Sequence, residues 1–203
     1  MTNNLFYNYE KAKNTLLTFA ADDECQSFFE KNNFPLELAY CKLLTGKLIE
    51  AEKLFTGIQE RETRARWGKI ISKILLEKQT PYPTYFDIRN FLEIDLNLLI
   101  NYEKGEFVEE IIKYADMFSS VNPETHKYIG RVFWNNELYS YGKFFLERAK
   151  NYFYQDPELH VLLANVYIAE DNREKALKAI DNCLKILPGY FPAKDLKRKL
   201  IGN

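Results

Sequence analysis

Two stretches of this 203-residue chain repeat one another at a fixed interval. Pro123-Glu124-Thr125-His126 and Pro157-Glu158-Leu159-His160 lie 34 residues apart, and in that register Ile129 falls on Leu163, Gly130 on Ala164, Phe133 on Tyr167, Gly142 on Ala176, Leu146 on Ile180 and Ala149 on Cys183. The apolar positions inside each stretch recur at three and four, the spacing of one helix face. Each unit carries an aromatic late in its first helix. Early in its second helix stands a residue with little or no side chain, where two backbones have to approach closely. A unit of this length cannot bury its apolar face alone, so the pattern predicts helix pairs that stack.

The rest of the chain supports an all-α reading. Trp67, Ile70, Ile71, Ile74 and Leu75 form one helical stripe, and alternation over the length of a strand is hard to find. Only eight Gly and seven Pro occur, so turns are sparse and regular elements long. Breaks fall at Asn32 to Pro35, Gly46, near Gly57, Thr80 to Pro83, Gly105, Asn122-Pro123, Asp156-Pro157, Asp171-Asn172 and Pro188-Gly189. No flexible linker divides the chain, which predicts one continuous domain over 1–203.

The repeats resemble the tetratricopeptide family. In 157–190 the matching residues are His160, Leu163, Ala164, Tyr167, Ala176, Ile180 and Pro188; in 123–156 they are His126, Ile129, Gly130, Phe133, Gly142, Leu146 and Ala149. Two further units are degenerate. Residues 35–58 carry Leu38, Ala39, Gly46, Ala51 and Phe55 in register, and 91–122 carry Leu98, Gly105, Phe107, Tyr114 and Phe118, with Glu110 read at the small-residue place. Residues 59–90 depart from the pattern as an irregular helical segment, with one helix expected from Glu62 to Lys78. Residues 1–34, with Phe6, Tyr9, Leu16, Leu17 and Phe19, read as amino-terminal cap helices, and 191–203 as a polar carboxyl-terminal cap. The resemblance implies a right-handed α-α superhelix whose first helices line a concave side. On that side it places Lys127, Arg131, Trp134 and Asn135 from one repeat and Val161, Asn165 and Ile168 from the next, a mixture of cations, amides and apolar area suited to an extended peptide or a helix.

Other chemistry finds little support. A formal charge of −1 leaves no summed field for nucleic acid or an anionic membrane, so either partner would need a local patch. The one candidate patch is Arg66, Lys69 and Lys73 along one face of the 61–78 helix, which could meet an acidic partner or RNA; with no aromatic interleaved on that side to stack bases, a solvated face is the favoured reading. His126 and His160 occupy equivalent places, but stacked helices sit about 8–10 Å apart, too far for shared metal ligation, so both are expected in the core. No phosphate-binding glycine loop, zinc-binding helix or nucleophile elbow occurs, and no cofactor is called for. Cys25, Cys41 and Cys183 lack any paired spacing and read as small buried apolar residues. No basic-then-apolar leader opens the chain and no window is apolar enough to span a bilayer, which places it in the cytoplasm.

The expectation is therefore a non-enzymatic adaptor that holds a protein segment in a groove. Two alternatives stay open: a secretion-type or assembly chaperone that dimerises through residues 1–31, and a helical accessory domain docked on a catalytic subunit.

Overall fold

The computed structural model describes Lys11 and residues 23–202. Phe6, Tyr9, Leu16, Leu17 and Phe19 of the expected cap segment, and with them most of the 1–31 stretch proposed for dimerisation, lie outside the described residues. Where the sequence reading treats 1–203 as one domain, the chain divides into two compact units, Met1–Val121 and Asn122–Asn203. The first holds α1 (Asp23–Lys31), α2 (Pro35–Leu44), α3 (Leu48–Ile58), α4 (Thr63–Leu75), α5 (Tyr85–Asn101), α6 (Gly105–Ile112) and α7 (Ala115–Val121). The second holds α8 (Thr125–Asn135), α9 (Tyr139–Ala149), α10 (Pro157–Ala169), α11 (Arg173–Ile186) and α12 (Phe191–Ile201). Among the described residues there is no strand.

Four hairpins, α2–α3, α5–α6, α8–α9 and α10–α11, share one turn. The first helix ends at Leu44, Asn101, Asn135 or Ala169, three residues follow, and the second begins at Leu48, Gly105, Tyr139 or Arg173. The middle turn residue, Gly46, Glu103, Glu137 or Asp171, has a left-handed backbone with φ of 78°, 56°, 63° and 55°. The residue after it donates its N–H back across the last helical turn: Lys47 to Lys42, Lys104 to Leu99, Leu138 to Phe133 and Asn172 to Tyr167, at 2.8–2.9 Å. That is the Schellman arrangement, which satisfies carbonyls the helix end would otherwise orphan. Glu103, Glu137 and Asp171 thus carry the 34-residue register into the 91–122 segment.

The register also fixes where the helices of each pair touch. The fourth residue of the second helix is Ala51, Val108, Gly142 or Ala176, and all four are buried. Val108, not Glu110, therefore holds the small-residue place in 91–122, and there the second helix is short and broken, α6 giving way to α7 at Lys113-Tyr114. At Gly142 a Cβ would lie 2.9 Å from the Trp134 backbone nitrogen, and at Gly130 2.8 Å from that of Leu146. The α8 and α9 backbones meet at both places, which is why the repeat calls for side chains no larger than these.

Local sequence sets the starts. Pro157 opens α10 behind Asp156, whose carboxylate accepts the Glu158 and Leu159 N–H groups, and Asn172 caps α11 through the Lys175 N–H. Thr84 and Asp87 form a reciprocal capping box on α5. The helix expected over 62–78 stops at Leu75, because Glu77 turns left-handed and Lys78 donates to the Lys73 carbonyl. The core of Asn122–Asn203 gathers Leu146, Leu159, Leu163, Val166, Ile180 and Cys183, with Ala193 of α12 sealing one end. In Met1–Val121, Phe29, Phe55, Trp67, Ile70, Ile74, Leu92 and Phe118 are fully buried or nearly so. Cys25, Cys41 and Cys183 are all buried.

Candidate functional site

The face nominated by sequence lies on α8 and α10. Helical spacing puts Lys127, Arg131, Trp134 and Asn135 on one side of α8, and Val161, Asn165 and Ile168 on one side of α10. Their surroundings differ. Asn135 is exposed, and Arg131, Trp134, Val161, Asn165 and Ile168 are partly exposed. Lys127 is only 4% exposed.

Lys127 is buried because three carboxylates meet it. Its ammonium donates to Glu124 at 2.7 Å, to Glu158 at 2.9 Å and to Asp156. An ammonium has three N–H donors, and all three are taken. Burial works against the charge on Lys127, but the bonds to Asp156, Glu124 and Glu158 outweigh it and raise its pKa above the ordinary lysine value. Glu158 also accepts from Arg131. Burial would raise the Glu158 pKa, yet Lys127 and Arg131 together hold it below the usual glutamate range. The Tyr128 hydroxyl donates to Glu124 at 2.8 Å, and its ring lies 5.5 Å from the Lys127 ammonium and 5.7 Å from the Arg131 guanidinium carbon.

The network ties consecutive repeats together, since Lys127 on α8 grips the carboxylate that caps α10. Asn122 occupies the equivalent place 34 residues earlier and accepts the Glu124 N–H at 3.0 Å. Sequence spacing alone found Lys127 and Arg131 but missed Glu124, Asp156 and Glu158. The available signal was an Asp directly before Pro at a helix start, which predicts an inward-facing cap.

Apolar and amide groups supply the remainder of the face. Trp134 packs partly on the α10–α11 core and meets the Tyr139 ring edge-on at 4.9 Å between centroids. Both histidines lie in the core, as their repeat positions imply. His126 stacks on Tyr152 at 4.3 Å, and a ring nitrogen of His160 sits 2.9 Å from the Tyr154 carbonyl, with burial lowering the His160 pKa.

The second nominated patch is engaged within Met1–Val121. Arg66 donates to Asp87, which is fully buried, at 2.7 and 3.2 Å, Lys69 to the Gln59 side-chain carbonyl at 3.1 Å, and Lys73 to the Gln79 backbone carbonyl at 3.5 Å. Beside it, Arg64 donates to Asp95 at 2.7 Å and to the Tyr40 hydroxyl at 3.0 Å, while Tyr40 donates to Asp95 at 2.7 Å. Burial, joined by the negative charge of Asp95, pushes the Tyr40 pKa well above its ordinary value, and burial also raises Asp95. A phenol made harder to ionise is no poised nucleophile or acid. This triangle instead pins α2, α4 and α5 to one another.

No protein-family model matches the sequence, and no curated protein does. Among solved structures, the chain is similar to the APC/C hetero-tetramer Cut9-Hcn1, with a TM-score of 0.48 and 14% identity over 88% of this chain and 39% of that one. It is also similar to YrrB, a TPR protein with an unusual peptide-binding site, with a TM-score of 0.44 and 15% identity over 88% of this chain and all of that one. The hairpins resemble tetratricopeptide units in the pattern of their residues. What decides this within the chain is the shared turn, the 34-residue register and the backbone contact at Gly142. The chain spans well under half of the first of these neighbours. Among the described residues no helix is long and apolar enough to cross a membrane.

Proposed function

We propose that this chain is a non-enzymatic cytoplasmic adaptor and that the α8/α10 face binds an extended peptide or a helix of a partner protein. The supporting observation is a partly exposed strip of Arg131, Trp134, Asn135, Val161, Asn165 and Ile168 on two helices locked together by the Lys127 network. A rigid surface of this kind gives binding energy without first paying to order itself. Trp134 supplies apolar area, Asn135 and Asn165 supply amides for a peptide backbone, and Lys127 serves as a support behind the strip.

Selection of a random linear peptide library on the immobilised chain tests this reading. A recurrent motif is expected, and Trp134→Ala and Asn165→Ala should weaken it by a hot-spot-sized ~2 kcal/mol while the circular dichroism spectrum is retained. Failure to enrich any motif, or a motif whose binding survives both substitutions, would refute the assignment.

A further inference from the structure

A second surface of Asn122–Asn203 points to a different ligand. On the side of α10 that faces α11, a cleft of about 280 Å³ opens between the two helices and the segment after α9. Leu163 and Ala179 form its buried floor. Tyr154 and Tyr167 form aromatic walls, and the bond between His160 and the Tyr154 carbonyl fastens the first of these to α10. Lys150, Lys175 and Lys178 reach its mouth from two elements, and no carboxylate lines it.

The charge balance is specific. Lys150 is paired with Glu147, which also accepts from the Tyr167 hydroxyl. No ion pair forms to Lys175 or Lys178 among the described residues; Lys175 lies 5.8 Å from the Tyr167 ring centre. The cleft therefore presents an excess of two positive charges over an apolar floor. A phosphate monoester carries about −1.5 to −2 at neutral pH and offers three strong acceptor oxygens, whereas a carboxylate offers a single charge. The volume lies just below the roughly 300–1,000 Å³ typical of sites that enclose a drug-sized molecule, so the cleft accommodates a side chain better than a whole nucleotide.

We propose that this cleft binds a phosphorylated serine or threonine side chain of a partner protein, with Lys175 and Lys178 as the principal contacts to the phosphate and Tyr154 and Tyr167 flanking the adjoining peptide. The proposal goes beyond the α8/α10 assignment and does not depend on it, because the two residue sets lie on different sides of α10.

The test uses the full chain, immobilised, and three degenerate peptide libraries identical except for a fixed central phosphoserine or phosphothreonine, the unmodified residue, or glutamate. The phosphorylated library should be retained about tenfold or more over each of the others, as expected for charge-assisted hydrogen bonds. The double substitution K175Q/K178Q should abolish that preference while leaving the thermal melt and any motif selected on the α8/α10 face unchanged. Equal retention of the glutamate or unmodified library, absence of any retained phosphopeptide, or a preference that survives K175Q/K178Q would each overturn the proposal.

Discussion

The substitution Gly142→Ala adds one methyl group at the place where α8 and α9 touch. Its Cβ would lie 2.9 Å from the Trp134 nitrogen, 3.0 Å from the Trp134 Cα and 3.1 Å from the Cβ, where ordinary contact begins at 3.4 Å. The nearest atoms are backbone and cannot swing aside, so the helices have to part by about half an ångström, loosening close-packed contacts along their whole interface. Such overpacking costs roughly 1–3 kcal/mol. Against it stands the gain of about 0.5–1 kcal/mol from replacing a mid-helix Gly by Ala. The balance is a loss of up to about 2.5 kcal/mol, or a fall in Tm of up to about 10 °C for a chain of this size. Gly57 in α3 provides the internal control: it is helical, and a Cβ there meets nothing within 4 Å. Gly57→Ala should raise stability by about 0.5–1 kcal/mol. The same chemical change thus carries opposite signs at the two sites, measured by urea denaturation followed by circular dichroism. If both variants become more stable, the helices do not touch at Gly142 and the packing scheme derived from it is wrong.

Replacing Lys127 by Met should destabilise Asn122–Asn203 by roughly 3–5 kcal/mol, because Glu124, Asp156 and Glu158 would be left facing one another around a missing cation; a loss under about 1 kcal/mol in a denaturant titration would contradict the network. The acid response follows from Glu158 and Glu147, both held below the usual glutamate range in the fold. A carboxylate whose pKa is lower folded than unfolded contributes stability above its unfolded value of about 4.3 and loses it as the pH falls through the folded value. The denaturation midpoint should therefore decline on acidification below that point, and Glu158→Gln should flatten the decline. Glu137→Gly should stabilise the α8–α9 turn by up to about 1 kcal/mol, since a non-glycine residue pays for the left-handed backbone there; an unchanged or lower melting temperature would count against the turn geometry.

Much of this architecture was legible in the chain, and the reason is local. Gly142, Ala176 and the aromatics Phe133 and Tyr167 recur at the helix-pair period because each repeat must solve the same packing problem, so a single sequence displays the constraint twice. The 91–122 segment was less readable: the small-residue place, read at Glu110, is held by Val108 and α6 is cut short, so no marker of the close approach remains. The electrostatic partners were hidden for another reason. Arg131 meets Glu158 from 27 residues away, Arg64 meets Asp95 from 31 and Tyr40 meets Asp95 from 55. Helical spacing states which side of its own helix Lys127 occupies. It is silent about what the next helix sets in front of that side, and a cation nominated for a ligand thus turned out to be enclosed by Glu124, Asp156 and Glu158.

The grip of Lys127 on the cap of α10 also bears on how this part of the molecule comes apart. In a linear array of hairpins, melting is governed by the intrinsic stability of each hairpin and by its coupling to the neighbour. One ammonium shared between α8 and the first turn of α10 strengthens that coupling, so α8–α9 and α10–α11 should open as a single cooperative block, and their slowest amide protons should exchange with solvent at a common rate.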